Sequence, residues 1–152
     1  MNVRCAARRL VAATLLGPLV ILVSCSGPAR TDASFSSKAA STADQARSSV
    51  ETVVVLVESA DRHHLPEPYL STAIAEAEDD AGAALTGFES VQPPSSRSDL
   101  VRSRTSEVVG DAVDLLAQAR ISARRGHAPV ELLPELRRAS VRLDSLAANV
   151  ER

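Results

Sequence analysis

The stretch ADQARSSVETVVVLVESA, residues 43–60, can be read two ways, and the choice between them sets the fold class. Its β-branched centre, Thr52 to Val57, has the composition of a strand. Around that centre, however, the apolar positions recur at alternating steps of three and four. Ala43, Ala46, Val50, Val53, Val57 and Ala60, with position 64 next in the series, fall on one helical face. Glu and Ala flank the run, and no second strand-like run exists for it to pair with. The reading is a helix, with Val55 pointing away from the seam; a strand over Thr52 to Val57 is the competing reading.

The same alternation continues outward in three further segments. One runs Leu70, Ile74, Ala77, Ala81, Ala84, Phe88 and Val91. The next runs Val101, Thr105, Val108, Ala112, Leu115 and Ala119, widened by Leu116 and Ala123. The last runs Leu132, Leu136, Ala139, Leu143, Leu146 and Val150. Between the segments lie His63-His64-Leu65-Pro66-Glu67-Pro68, then Gln92-Pro93-Pro94-Ser95-Ser96-Arg97-Ser98, then Gly126-His127-Ala128-Pro129 with Pro134 beyond. Proline does not continue a helix, and glycine after a basic last turn is a usual C-terminal stop. A sustained 3-4 alternation is the seam of a left-handed bundle. Short connections favour antiparallel neighbours. The expected fold is all-α: an antiparallel up-down four-helix bundle over residues 34–152, with helices near 34–64, 67–91, 98–125 and 130–151. Its seams are rich in alanine, which brings helices close but buries little area per residue.

Ahead of the bundle, Arg4, Arg8 and Arg9 precede an apolar run from Leu10 to Val23, followed by Ser24-Cys25-Ser26-Gly27. A basic start, an apolar run and a small residue at its end make a secretory signal. The run is shorter than the ~20 residues of a membrane span, and Gly17-Pro18 interrupts it. Leu22-Val23-Ser24-Cys25 resembles the lipobox of bacterial membrane lipoproteins. That resemblance covers residues 1–25 and implies cleavage between Ser24 and Cys25, with a diacylglyceryl group on the Cys25 thiol. Residues 1–24 are then a signal peptide, and residues 25–33 the lipidated cysteine and a short tether. The competing reading is an ordinary secretory signal cut after Ala29. Cysteine usage favours the lipoprotein: Cys5 leaves with the leader, and Cys25 is the one thiol remaining in an exported chain. Acyl chains contribute about 0.8 kcal/mol per buried CH₂. The implied location is the extracytoplasmic face of the cell membrane, with palmitate among the acyl chains.

Composition removes several function classes. The whole chain carries a formal charge of −2, and losing the three leader arginines makes the remainder more acidic. Nucleic acid, whose affinity comes from neutralising phosphates, is not the expected partner. The aromatics are Phe35, Tyr69 and Phe88, with no Trp, too few for stacking on bases or sugars. With 45% hydrophobic residues the chain is not a disordered polyelectrolyte. No Gly-x-Ser-x-Gly, Ser-x-x-Lys, His-Glu-x-x-His, Cys-x-x-Cys or phosphate-cradling loop occurs, so neither an enzyme nor a cofactor is expected.

If the topology is up-and-down, the start of the first helix, the Pro93-Pro94 loop and the C-terminus share the membrane end. The His63–Pro68 and Arg125–Pro129 loops then share the distal end. All three histidines lie at that distal end. Asp61, His63, His64, Glu67 and His127 are candidate ligands for a divalent metal, Asp61 and His64 being three apart on one helix face. The plainer reading places the histidines against helix C-terminal carbonyls. The acidic run Glu76, Glu78, Asp79 and Asp80 reads as a solvated face paired with neighbouring arginines. Arg124-Arg125 and Arg137-Arg138-Arg142 could meet anionic lipid or polymer, or complete helix dipoles. The expected function is a non-catalytic protein-interaction module of the cell envelope, its partner an envelope protein. The alternatives are a carrier of a small apolar ligand or lipid in the seam, and metal binding at the distal end.

Overall fold

The computed structural model describes residues 31–150. Among them are four α-helices, α1 (Asp32–Asp61), α2 (Glu67–Glu89), α3 (Ser96–Arg124) and α4 (Leu133–Val150), with a 3₁₀ turn at Val130–Leu132 leading into α4 and no strand. Thr52 to Val57, the strand-like run, lies within α1. Neighbouring valines on its inner face meet other helices rather than another extended chain.

The 3-4 rows form the core. Ala43, Ala46, Val50, Val53 and Val57 of α1 are fully buried, as are Ile74 and Ala81 of α2, Leu116 and Ala119 of α3, and Leu136 and Leu143 of α4. Val55, off the row, is 63% exposed. α1 packs against each of the other three helices, α2 also against α3, and α3 against α4. A smaller cluster closes one end: Phe35, Ala39 and Phe88, with Val91, Val101 and Val150 against them. The Phe35 and Phe88 rings are 5.2 Å apart at 47°, a tilted arrangement worth about 0.5–1.5 kcal/mol beyond burial. One seam position is polar. Thr105 is fully buried and its Oγ1 has no hydrogen-bond partner.

Caps explain where the helices begin. Thr31 Oγ1 accepts from Ser34 N while Thr31 N donates to Ser34 Oγ, a reciprocal box at the start of α1. Ser95 Oγ accepts from Ser98 N at the start of α3. Both helices therefore start two residues earlier than the expected bounds at 34 and 98. α2 begins after Pro66, with Pro68 in its first turn, and Pro134 sits in the first turn of α4. In both places the missing N–H costs nothing.

The ends of α1 and α3 match. Each helix is followed by a residue in the left-handed region, His63 (φ 58) after α1 and Gly126 (φ 79) after α3. His64 N donates to Ser59 O at 3.0 Å, and His127 N to Ser122 O at 3.3 Å, folding the chain back over the last turn. α1 thus stops at Asp61, and His64 is not a further position on its face.

The two N-terminal caps are tied together. Ser95 Oγ and Ser98 Oγ each donate to Asp32 Oδ1 at 2.6 Å. These bonds, Ser95's first, hold the Asp32 carboxyl below its ordinary pKa. A carboxyl depressed in the folded state stabilises above its unfolded pKa, about 3.9. That contribution is lost as pH falls through the lower folded value. Asp32→Ala should lower the urea midpoint at pH 7, and the difference from wild type should shrink once the pH is below the folded value, as the charged form's share is lost. Urea melts at the two pH values check this.

Candidate functional site

The seam rows are buried, and the open space beside them lies on the surface. A groove of about 1230 Å³ runs between α1 and α2 on the surface. Its α1 wall includes Lys38, Ser41, Thr42, Gln45, Ser48 and Thr52, a polar row on the flank beside the buried valines. Its α2 wall is small and acidic, with Ala73, Ala77, Ala84 and Gly87 as floor and Glu76 and Asp80 as rim. Phe88 and Val91 line the end near Lys38; Leu56 and Tyr69 line the other. The short side chains of α2 leave the volume unfilled, and Ser and Thr on α1 do not cross to close it. Tyr69, the only tyrosine, is 58% exposed.

Three hydroxyls of the α1 wall have their protons committed, while Ser41 Oγ accepts from Gln45 Nε2 at 3.2 Å. Thr42 Oγ1 donates to Lys38 O, Ser48 Oγ to Asp44 O, and Thr52 Oγ1 to Ser48 O, at 2.9, 3.0 and 2.8 Å. A hydroxyl carries one donor and two lone pairs, so these groups offer acceptor capacity. Across from them, α2 carries Glu67, Glu76, Glu78, Asp79, Asp80 and Glu89 and has neither Lys nor Arg. Of these, Glu78 turns toward α3, where Arg120 clasps it through Nε and, at 3.3 Å, through Nη2. Glu78 thereby raises the pKa of the Arg120 guanidinium. Glu76 and Asp80 form no ion pair among the described residues.

The five candidate ligand residues are arranged differently from a ligand set. Asp61 ends α1, His63 and His64 follow it, Glu67 opens α2, and His127 follows Gly126; all five are exposed. The Glu67 carboxyl oxygens lie 3.8 and 3.9 Å from where a Cβ on Gly126 would sit, so the two loops meet. Backbone N–H groups of His63, His64 and His127, rather than their rings, satisfy helix carbonyls. Among the described residues, no group of three or more His, Cys, Asp or Glu side chains could hold a metal ion. Asp61, His63, His64, Glu67 and His127 are not brought together as one, because the left-handed turn at His63 takes His64 off the face of Asp61.

Of the two arginine clusters, Arg137, Arg138 and Arg142 are engaged within the fold, whereas Arg124 and Arg125 make no side-chain bond among the described residues. Arg137 donates to Glu58 at 2.6 Å, Arg142 to Asp111 at 2.9 Å, and Arg138 to Pro134 O at 3.1 Å. Ser24 and Cys25, the expected cleavage and lipidation site, lie outside the described residues. No described helix is long and apolar enough to cross a membrane.

Sequence reasoning placed the α2 acidic run on a solvated face but did not find the groove. The signal was present as hydroxyl and amide positions at 41, 45, 48 and 52, spaced helically beside a segment rich in small residues.

Tyr69 is the only tyrosine and the chain has no Trp, so its fluorescence reads one end of the groove alone. Acrylamide should quench native Tyr69 nearly as well as it quenches the urea-unfolded chain. Strong protection in the native state would mean that the groove is closed there.

Compared with protein-family models, curated proteins and solved structures, the chain finds no match in any of the three.

Proposed function

We propose that this chain is a bacterial membrane lipoprotein, anchored through a diacylglyceryl group on Cys25 at the extracytoplasmic face of the cell membrane. Its helical body serves as a non-catalytic interaction module for an envelope protein. The observation that carries the second part is the open α1–α2 groove on the surface beside the buried seam. A surface slot between two long helices suits a protein segment. A carrier of apolar ligands instead needs enclosed apolar volume. No histidine lines the groove, and its acidic groups have no nucleophile and base set against each other.

The body is an up-down-up-down bundle in this reading. Several registers support it. Glu58 bonds Arg137, Glu51 bonds Ser140, and Arg47 pairs with Asp144, so numbers fall along α1 as they rise along α4. Glu78 with Arg120 and Glu89 O with Arg102 do the same for α2 and α3. Asp32, Ser95, Phe35, Phe88 and Val150 gather at one end, and Glu67 with Gly126 at the other. Cys25 is six residues ahead of Thr31, a span of at most ~20 Å. The Asp32 end therefore faces the membrane, and the groove stands upright from it.

Two measurements on the full chain test this. Grown with labelled palmitate in a bacterial host, the wild-type chain should carry label and Cys25→Ser should carry none. Equal labelling of both, or of neither, contradicts the anchor. Native mass spectrometry of the chain extracted in non-ionic detergent should show protein plus anchor; an additional bound organic molecule would favour a carrier instead.

A further inference from the structure

Resting on the interaction-module reading, we propose that the α1–α2 groove receives a basic amphipathic helix of a protein partner, about 18 residues long. Lys38 to Leu56 spans about 27 Å at ~1.5 Å per residue, or five turns. The floor of Ala73, Ala77, Ala84 and Gly87 lets a helix backbone come close, as small residues do wherever helices approach tightly.

The charge of the occupant follows from what the walls leave unmatched. Glu76 and Asp80 are one turn apart on the rim, exposed, and without an ion pair among the described residues. α2 supplies no cation to offset them, and Lys38 is the sole cation of the lining, at the far end. Opposite, Ser48 and Thr52 have given their protons to backbone carbonyls and present lone pairs. Between Ser48 and Thr52 on one side and Glu76 and Asp80 on the other, the groove thus asks for donors. Lys or Arg at i and i+4 of a bound helix meets Glu76 and Asp80 at their own spacing, with small or apolar residues against the alanine floor and Tyr69 as an aromatic contact at the distal end. An acidic helix would set like charges against α2, and a wholly apolar one would bury two carboxylates without partners.

The test is selection from a library of 18-residue helical peptides, randomised at surface positions, against the full chain in non-ionic detergent, with micelles alone as counter-selection. Enriched peptides should be cationic with Lys or Arg at i, i+4 spacing, should bind one per chain, and should weaken steeply with salt. Glu76→Gln with Asp80→Asn should lower affinity at least tenfold. So should Ser48→Arg with Thr52→Arg, which places positive charge on the opposite wall. Both pairs are exposed, and urea melts establish that each variant folds. Neutral or acidic peptides that both groove variants weaken would overturn the basic occupant while leaving groove docking standing. Peptides indifferent to both variants, or no enrichment, would overturn the groove as the docking surface as well.

Discussion

Four helices are held together by the water-excluded inner face of α1. Ala39, Ala43, Ala46, Val50, Val53 and Val57 are fully excluded from water, and α1 touches every other helix. Small residues there let three helices close on one. Each contact buries little apolar area, so stability is spread along the rows rather than held at one anchor. Once that face is occupied, the opposite flank of α1 has nothing to cover it except what α2 supplies. Alanine and glycine along α2 supply little, and the groove is the consequence.

Around this seam, polar contacts fix register where apolar ones are permissive. Valine and alanine rows can slide by a turn with modest loss. The Asp32 bonds to Ser95 and Ser98 and the Glu78–Arg120 clasp cannot. At the α1–α4 rim, Arg47 reaches Asp44, Glu51 and Asp144 at 3.5–3.6 Å. Exposed pairs of this kind contribute little energy singly, but together they select one alignment. In the proposed geometry the Asp32 knot also stands where the tether enters, so force from the anchor is shared between α1 and α3.

Much of the helical order was legible because burial writes itself as a 3-4 repeat. The row from Ala43 to Val57 is wholly buried, and so is the Val108, Ala112, Leu115 and Ala119 row of α3. What the repeat does not encode was missed. Thr31 and Ser95 are caps, chosen for a side-chain oxygen rather than for polarity, and they start their helices earlier. Phe35 stands ahead of the apolar row but closes the end of the core against Phe88. Continuing the row to position 64 failed because His63 takes a left-handed φ, a backbone event with no periodic trace. The groove was illegible for a different reason. It is a mismatch between two helices, visible only when the short side chains of α2 are set beside the polar row of α1.

On the proposed membrane-anchored body, this groove is where a partner sits. Site-specific photocrosslinking in cells producing the full chain tests it most directly, with the crosslinker at Ser48 in the groove and at Val141 on the opposite, exposed face of α4. Ser48 should give one discrete adduct with a single identified envelope protein, and Val141 none. An adduct from Val141 alone, or no adduct from either position, would contradict it.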